Sequence, residues 1–314
     1  MNTAVRSTPP AVTVTFEPDG AWPERLRAVL AVCSRCIVVD NSLTPEARER
    51  VRATVAGFTN VELIANSDNP GLGRALNQGC HALHAAGHPW VITFDQDSTP
   101  RPGFGAALLA SAAKIGSKRV AVVGANWTDL HRPGFPSRHL QAAPPFGCGF
   151  RRSIATHDLE DVLCAITSGS LFSLQAWQDL DGFDEALFLD LVDTDFCLRA
   201  SQAGWTVAVS ALAQLDHQRG AKQPVRFLGR TCYPSFMPPF RLEYLSRNRV
   251  RLFLRHGWHA RAWVAYETVY AAKLLVDVLL LEDEKPAKLA ACLRGTWDGL
   301  IRRAPPRRLE TKIK

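Results

Sequence analysis

Several features that define common classes of protein are missing from this chain of 314 residues. No apolar segment of signal-peptide length lies near Met1, so we expect that the chain is not exported. The eight cysteines are scattered, mostly within apolar runs, and they do not form a disulfide framework. This indicates reduced thiols and a cytoplasmic location. Cys33 and Cys36 form a single CxxC pair, which without a second pair is weak support for a metal or redox site.

The chain also lacks an uninterrupted apolar run that is long enough to cross a bilayer. Its most apolar stretch, residues 260–281, contains Glu267, Lys273 and Asp277, and charges at the centre of a bilayer are costly. We therefore predict a helix that packs on the rest of the protein or lies in a membrane interface. Internal repeats, a GxGxxG motif and a Walker-type phosphate loop are absent as well.

Basic residues are concentrated in the last third of the sequence. Residues 1–218 contain 17 Lys+Arg and 22 Asp+Glu, whereas residues 219–314 contain 20 and 8. This distribution indicates an anionic partner, either lipid headgroups or nucleic acid, although a solvated surface would also explain it. Because no nucleic-acid recognition motif accompanies the basic residues, we predict no nucleic-acid partner.

Short strands and helices alternate regularly in the first half of the chain. Continuously apolar segments predict strands at residues 11–16, 36–40, 61–65, 90–95 and 119–125. Strands that are apolar on both faces are typical of a parallel sheet covered by helices on both sides. The fold class that we predict is therefore α/β, with a mostly parallel, doubly wound sheet.

The second half of the chain is less regular. Residues 126–163 are rich in proline, glycine and aromatic residues, which is typical of a long loop that covers a site. The later patterns predict a strand pair at 164–174, a helix within 182–205, a last strand at 206–210, a proline-rich connector at 223–239, and helices at 240–256, 260–281 and 286–303. We divide the chain into an α/β domain, residues 1–222, and a basic helical C-terminal extension, residues 223–314.

The segment VITFDQDSTP places Asp95 and Asp97 at the carboxyl end of an apolar strand. Either aspartate could cap a following helix, and for an isolated pair that explanation usually suffices. Two carboxylates that converge on one point are stable, however, when a divalent cation neutralises them. Because Mg²⁺ binds carboxylate oxygens together with substrate phosphates, the pair suits a metal that bridges a diphosphate. Ligands of doubly wound sheets bind beyond this edge of the sheet.

Other polar residues are expected at the same edge. Asp40 ends the second strand, where a carboxylate can accept a hydrogen bond from a base or a ribose hydroxyl. Gly71 and Gly73 lie at the start of a helix, where N–H groups favour anions, although a tight turn explains them too. His217 follows the last strands and could reach a metal, although a lone histidine is more often structural.

Three acids, Asp190, Asp193 and Asp195, lie in the segment LDLVDTDFCLR at the predicted start of a helix. Acids in a first helical turn complement the helix dipole, and Asp195 can pair with Arg199 four residues later. This explains one or two of the three acids. One of them is therefore a candidate general base with a raised pKa.

Taken in order, these motifs resemble those of the family 2 glycosyltransferases of the GT-A fold. The matching segments are VVDNS, NPGLGRALNQG, FDQDS, TSGSLF, GFDEALFLDLVDTDFCLRASQAGW and the later His217. More narrowly, FDQDS, DLVDTDFCLRASQAGW, RLEYLSRNRVRLFLRH and LRGTWDGLIRR are similar to the rhamnosyltransferase-like branch. The resemblance extends from Val12 to about Arg303, and its weight comes from the order of motifs that are weak individually.

The resemblance implies a nucleotide-sugar half at about residues 11–125 and an acceptor half at about 126–222. It implies contacts with the nucleotide from Asp40, Asn69, Gly71, Gly73, Asn77 and Asp95. It implies that Mg²⁺ or Mn²⁺ is bound by Asp95, Asp97 and His217. It also implies a catalytic base, Asp193, and an acceptor side lined by Ser168, Gly169 and Trp205.

Two departures from the family pattern affect these assignments. The family often has Glu-Asp where this chain has Val192-Asp193, so Asp190 is a second candidate for the base. The first strand of this branch commonly ends in Asn-Pro-Asp, whereas this chain has Glu17-Pro18-Asp19. The second departure could change the contacts with the nucleotide base or leave them to backbone groups.

The activity that the resemblance implies is inverting transfer of L-rhamnose from dTDP-L-rhamnose to a glycan or lipid-linked acceptor in cell-surface polysaccharide synthesis. The basic C-terminal part fits an anionic membrane surface, at the inner face of the plasma membrane. The candidates for contact with lipid or an acceptor phosphate are Arg247, Arg249, Arg251 and Arg255. A UDP-sugar such as UDP-galactofuranose is an alternative donor, and a non-catalytic, nucleotide-binding membrane partner is an alternative function.

Overall fold

The computed structural model describes residues 8–116, 118–131, 136–144, 148–218 and 224–301. The strands in these residues are β1 (Ala11–Thr15), β2 (Cys36–Asp40), β3 (Val61–Ala65), β4 (Trp90–Asp95), β5 (Ser98–Pro100), β6 (Val120–Asp129), β7 (His139–Ala143), β8 (Gly149–Ser153), β9 (Ser170–Ser173), β10 (Thr206–His217), β11 (Val225–Phe227) and β12 (Arg230–Cys232). The α-helices are α1 (Trp22–Leu30), α2 (Pro45–Val55), α3 (Leu72–Ala85), α4 (Phe104–Lys114), α5 (Leu174–Asp179), α6 (Val192–Gln202), α7 (Pro239–His256), α8 (Arg261–Leu281) and α9 (Lys285–Leu300). A 3₁₀ helix, Glu185–Leu187, precedes α6.

Eight of these strands form one sheet in the order β3-β2-β1-β4-β9-β6-β10-β5. β1 pairs in parallel with β2 and β4, β2 with β3, and β6 with β10. β9 and the edge strand β5 run antiparallel to their neighbours. The sheet is therefore mostly parallel, as predicted. The parallel strands share a carboxyl edge, where β2 ends at Asp40, β4 at Asp95 and β10 at His217.

The apolar strands of the first half form the core on both faces of the sheet, as their composition predicts. All five residues of β2 are buried. Val38 belongs to one hydrophobic cluster and its neighbour Val39 to another, because successive side chains of a strand point to opposite faces. The CxxC cysteines are part of this packing: both are buried, and burial raises the pKa of the Cys36 thiol to about 11. That environment suits inert structural thiols rather than a redox or metal pair.

The second half differs from the prediction in four places. The region 126–163, predicted as a loop, contains the end of β6 and an antiparallel pair, β7 with β8, in its described residues. The predicted strand pair at 164–174 includes one strand, β9. β10 continues past residue 210 to His217. Its pairing with β6 shifts in register between Val209 and Gln214. The described part of the connector contains the hairpin β11–β12.

The three C-terminal helices begin within one residue of their predicted positions. α9 lies directly on α7 because Gly295 and Gly299 have no side chain, and a Cβ at Gly295 would overlap the carbonyl oxygen of Glu243. Leu252 of α7 and Trp263 of α8 join the hydrophobic cluster of the α/β part. None of the described helices is long and apolar enough to cross a bilayer. The last two residues of the predicted helix 286–303 lie outside the described residues.

Candidate active site

The turn that carries Asp95 and Asp97 is tied to the sheet on both sides. Asp95 ends β4, and Asp97 lies immediately before β5. The Gln96 side chain between them accepts from the N–H of Phe16 at 2.8 Å and donates to the Phe16 carbonyl at 3.0 Å. β5 then pairs antiparallel with the end of β10, next to His217. The turn is therefore anchored to the end of β1, and strand pairing brings a distant histidine to it.

Asp95, Asp97 and His217 form a cluster whose ligand atoms all lie within 4.8 Å of one another. Nδ1 of His217 is 3.2 Å from Oδ1 of Asp97, and Nε2 is 4.0 Å from Oδ2 of Asp95. Oδ1 of Asp97 is buried, yet it accepts no hydrogen bond from the described residues. Two carboxylates and an imidazole around an unsatisfied oxygen suit Mg²⁺ or Mn²⁺, which prefer oxygen ligands and tolerate imidazole.

Two buried serines orient this cluster. The Ser168 hydroxyl accepts from the N–H of Asp95 at 3.0 Å and donates to the Ser98 hydroxyl at 2.6 Å. Ser98 Oγ lies 2.7 Å from Nδ1 of His217. A hydrogen bond at Nδ1 fixes the orientation of the ring and leaves Nε2 on the side of Asp95. Ser168, expected on the acceptor side, is fully buried, and its hydroxyl is hydrogen-bonded to Asp95 and Ser98.

The charges around Asp95 show how unfavourable the cluster is without a cation. Burial and the neighbouring Asp97 carboxylate raise the pKa of Asp95 to about 6, against the opposing effect of His217. Asp193 adds to this increase and Arg241 opposes it. Asp193 is linked to the cluster through neighbouring residues, because it accepts from the N–H of Thr167 while Ser168 accepts from the N–H of Asp95. A divalent cation would offset the burial and the repulsion together.

The structure distinguishes the two candidates for the base. Asp193 lies in the first turn of α6, where Oδ1 accepts from the N–H of Thr194 at 2.7 Å and Oδ2 from the N–H of Thr167 at 3.3 Å. Asp190 accepts from Nε and Nη2 of Arg241, at distances of 3.1 and 2.8 Å. A bidentate guanidinium occupies the oxygens of Asp190. Asp193 is therefore the better placed to take a proton from a substrate.

Arg241 is a residue of the site that sequence reasoning missed. It belongs to α7, in the segment assigned to the C-terminal extension, and its guanidinium pairs with Asp190. The Asp190 carboxylate, and to a smaller extent Asp95, raise the pKa of Arg241. The motif RLEYLSRNRVRLFLRH contains this arginine, but a helical pattern does not show which end of a helix meets the sheet.

Asp40 and Glu17 are engaged within the protein at the neighbouring strand ends. Oδ1 of Asp40 accepts from the hydroxyls of Thr15 at 2.9 Å and Ser42 at 2.7 Å, and β1 separates this residue from Asp95. The Glu17 carboxylate, where the family branch commonly has asparagine, accepts from the N–H groups of Leu43 and Thr44. Contact of Asp40 with a nucleotide base stays a prediction, while Glu17 links the end of β1 to the start of α2.

The glycines at the start of α3 are required by a contact within the protein. Gly71 has a φ of +95°, and a Cβ there would lie 2.7 Å from the carbonyl oxygen of Phe188. A Cβ on Gly73 would lie 3.0 Å from the carbonyl oxygen of Asp184. Asn69 closes the loop by accepting from the N–H of Gly71 at 3.0 Å. Close packing thus explains both glycines, and their predicted contact with the nucleotide stays a prediction.

Asn77 joins the same region further along α3. Its amide nitrogen donates to the Phe183 carbonyl and to Glu185, and its oxygen accepts from Trp177 and from the N–H of Phe183. Both donors and both acceptor positions of the amide are therefore used. A nucleotide could reach Asn77 only by displacing one of these partners.

Two of the predicted acceptor residues do not lie on an open surface. Gly169 is buried, has a φ of +74°, and donates its N–H to the Thr93 carbonyl. Trp205 is buried beneath the guanidinium of Arg119 and precedes β10, whereas His217 ends it. At a rise of ~3.3 Å per residue, the two ends of this strand are roughly 30 Å apart. Contact of an acceptor with Trp205 stays a prediction, and it requires an acceptor that extends over this distance from the cluster.

This combination of a mostly parallel sheet, an acidic cluster at its carboxyl edge and an adjacent candidate base defines a glycosyltransferase of the GT-A type. The comparisons with known proteins agree. The chain belongs to the family described as "Glycosyltransferase like family 2", whose model matches residues 24–230. The resemblance inferred from the motifs is confirmed.

Two curated relatives are rhamnosyltransferases. The chain is 26% identical over 298 residues to "dTDP-rhamnosyl transferase RfbF" from Shigella flexneri, which covers 92% of this chain and 94% of the relative. It is also 26% identical over 238 residues to "N-acetylglucosaminyl-diphospho-decaprenol L-rhamnosyltransferase" from Mycobacterium tuberculosis, with 67% and 76% covered. These similarities support a rhamnosyltransferase-like member of the family.

Solved structures share the fold at low sequence identity. GalNAc-T7 with UDP, GalNAc and Mn²⁺ is 13% identical to this chain, with a TM-score of 0.58. The match covers 97% of this chain and 59% of GalNAc-T7. The mannosyltransferase PcManGT from Pyrobaculum calidifontis, in complex with GDP-Man and Mn²⁺, is 13% identical with a TM-score of 0.55 and coverage of 96% and 89%. At this identity, these likenesses establish the GT-A fold.

Proposed function

We propose that this glycosyltransferase transfers L-rhamnose from dTDP-L-rhamnose to a hydroxyl of a lipid-linked glycan, with inversion at the anomeric carbon. The observation that carries the reaction is the hydrogen-bonded link between Asp193 and the Asp95–Asp97–His217 cluster: Asp193 accepts from the N–H of Thr167, and the next residue, Ser168, accepts from the N–H of Asp95. The rhamnosyl donor is supported by the similarity to RfbF over 94% of its length. The lipid-linked acceptor is supported by the similarity to the decaprenol-linked rhamnosyltransferase.

In the proposed reaction, Asp193 takes the proton of the acceptor hydroxyl while the hydroxyl oxygen bonds to the anomeric carbon. The bond between that carbon and the dTDP oxygen breaks on the opposite face, and the electron pair leaves with the diphosphate. Mg²⁺ or Mn²⁺, held by Asp95, Asp97 and His217, would neutralise the charge of the leaving group. Arg241, although paired with Asp190, also favours the charged form of Asp95.

A thermal-shift experiment tests the donor and the metal together. We expect dTDP and dTDP-L-rhamnose to raise Tm with Mn²⁺ or Mg²⁺ and to have little effect in EDTA. A ligand at 100 times its Kd that binds only the folded state stabilises it by about 2.7 kcal/mol. A larger increase in Tm with UDP-sugars would show that the donor is a UDP-sugar rather than dTDP-L-rhamnose. No shift with any nucleotide, in a folded sample, would contradict both the proposed activity and the alternative of a non-catalytic, nucleotide-binding partner.

We also propose that α8 and α9 bring the enzyme to the surface of an anionic membrane, where a lipid-linked acceptor lies. The large exposed apolar side chains of these helices and the residue after α9 are Val269, Leu275, Val276, Leu279, Leu280, Leu293, Trp297, Leu300 and Ile301. On α9, Leu293, Trp297 and Leu300 recur at helical spacing. They lie away from Gly295 and Gly299, which face α7.

The four arginines of α7 that we predicted to contact lipid or an acceptor phosphate have partners within the protein. Arg247 is buried and donates to the carbonyls of residues 186 and 187, and Arg249 pairs with the buried Glu267. Arg255 pairs with Asp184 and Asp195, and Arg251 is directed to the carbonyl of residue 186 at 3.4 Å. Contact of these arginines with lipid or an acceptor phosphate therefore stays a prediction, and the internal partners of Arg247 and Arg249 weigh against it.

The basic excess of the C-terminal part lies outside α8 and α9. Residues 219–314 carry 20 basic and 8 acidic residues, whereas residues 261–301, which include both helices, carry 5 and 6. The last 13 residues, 302–314, lie outside the described part of the chain and contain six Lys and Arg and one Glu. An apolar helical face followed in the sequence by a basic segment is typical of proteins that bind the membrane interface.

Sedimentation with vesicles tests this surface. We expect the wild-type protein to bind phosphatidylcholine vesicles that contain phosphatidylglycerol, and the double variant Leu293→Glu/Trp297→Glu to bind them about tenfold more weakly. Leu212→Glu is the matched control, because Leu212 is 71% exposed but lies on β10. Equal binding to neutral vesicles, or unchanged binding of the double variant, would refute the proposal. A dimer that the double variant dissociates would assign the surface to self-association.

A further inference from the structure

The segment that leads to Asp193 is held in a backbone conformation that its residues do not favour. Phe188, Asp190 and Leu191 have φ values of 63°, 58° and 62°, in the left-handed region that glycine adopts most easily. We call residues 184–191 the acidic turn. α6 begins directly after it. Three such residues within four positions persist only where the surrounding structure determines their conformation.

α7 provides the polar groups that hold the acidic turn. The Asn248 amide nitrogen lies 2.9, 2.6 and 2.9 Å from the carbonyl oxygens of Leu187, Leu189 and Asp190. Nη2 of Arg247 donates to the carbonyls of Ala186 at 2.8 Å and Leu187 at 3.0 Å. Both side chains are almost fully buried. Two adjacent residues of one helix thus satisfy the carbonyls of four residues in the turn.

Further contacts fix the turn between α7 and α3. The rings of Phe188 and Tyr244 stack with centroids 4.9 Å apart and an interplanar angle of 19°. Arg241 pairs with the side chain of Asp190. On the opposite side, the N–H of Leu72 donates to the Phe188 carbonyl at 2.6 Å. The turn therefore has well-defined neighbours on both sides.

We propose that Arg247 and Asn248 are positioning residues for glycosyl transfer, which hold the acidic turn so that Asp193 faces the cluster of Asp95, Asp97 and His217. This inference rests on the proposed function, in which Asp193 is the base. The two residues act through the backbone of the turn, to which they are hydrogen-bonded. α7 is accordingly part of the scaffold of the active site, although the sequence places it in a basic extension.

The variants Asn248→Ala and Arg247→Lys test the proposal in the full-length protein. We expect hydrogen–deuterium exchange in residues 184–193 to become at least about tenfold faster, and kcat to fall at least about tenfold, because a displaced base reacts slowly. The KM for dTDP-L-rhamnose and the Mn²⁺-dependent thermal shift with dTDP should stay within about threefold, because the metal cluster lies on the strands. Arg247→Lys keeps the positive charge, and it still tests the proposal if Asn248→Ala does not fold.

Glu243→Gln is the matched control. Glu243 also lies on α7 and is largely buried, but it pairs with Arg294 of α9, so its loss should change neither the exchange of the turn nor kcat. Faster exchange with unchanged kcat in both variants would show a purely structural role and overturn the proposal, as would unchanged exchange. A wild-type protein that binds dTDP but transfers no sugar would refute the proposed function instead, while exchange would still report whether α7 holds the turn.

Discussion

Asp193→Asn is expected to lower kcat for glycosyl transfer by about 10³-fold, while the affinities for dTDP-L-rhamnose and Mn²⁺ stay within about threefold of the wild-type values. An amide cannot take the proton of the acceptor hydroxyl, and the loss of a general base typically costs 10²–10⁴-fold. Asparagine has nearly the same shape as aspartate and keeps one acceptor oxygen, which can accept from the N–H of Thr194, whereas the longer bond from the N–H of Thr167 is lost. Single-turnover transfer and a thermal shift with dTDP would measure the two effects separately.

Two neighbouring acids are the controls for this prediction. Asp190→Asn removes the ion pair with Arg241 and should lower kcat less than Asp193→Asn. Asp195 is fully buried, and hydrogen bonds from His256 and Arg199 overcome its burial and lower its pKa to about 2. Asp195→Asn should therefore lower Tm, because it removes the buried charge that pairs with Arg199 and Arg255. A more severe loss of kcat in Asp190→Asn than in Asp193→Asn would mean that Asp190 is the base.

Asp97→Asn is expected to abolish the Mn²⁺-dependent part of nucleotide binding and to lower kcat at least about 100-fold, equivalent to ~2.7 kcal/mol. The variant removes one of two carboxylates from the cluster, including the charge on its buried, unsatisfied oxygen. Without metal, we expect Tm to stay the same or to rise. The Asp97 carboxylate contributes to the raised pKa of Asp95, so its removal relieves repulsion.

Asp216→Asn is the matched control for Asp97→Asn. Asp216 precedes His217 at the same edge of the sheet, but it pairs with Arg101 near the surface, where an ion pair contributes about 0–1 kcal/mol. Its loss should leave the metal-dependent thermal shift unchanged. Wild-type turnover and a wild-type Mn²⁺ response in Asp97→Asn would show that the cluster is not the metal site.

The first half of the fold could be read from the sequence because its signals are local. β1 to β4 and β6 are largely apolar, and one helix between them, α2, has a cap that the sequence shows, because Thr44 accepts from the N–H of Ala47. A sheet covered on both faces requires such strands. The hairpin β7–β8 was missed because its pairing depends on the packing around it rather than on a strong apolar pattern.

The candidate site was predicted in part for the same reason. Asp95, Asp97 and His217 follow strand ends, and the carboxyl ends of parallel strands meet at one edge. The structure brings these three residues together. It also shows that Asn77 is fully hydrogen-bonded within the protein and that Trp205 lies at the far end of β10. Family motifs do not separate residues that contact a ligand from residues that shape the pocket.

The sequence by itself determined the fold class, the family and the acidic residues that the chemistry needs, because apolar periodicity and short motifs are properties of neighbouring residues. Only the tertiary structure decided how those residues are held. Asp190 pairs with Arg241 of α7, and Arg247 and Asn248 donate hydrogen bonds to carbonyls of the acidic turn. These contacts join residues about 50 to 60 positions apart, and no local pattern encodes which face of a helix packs against a distant turn.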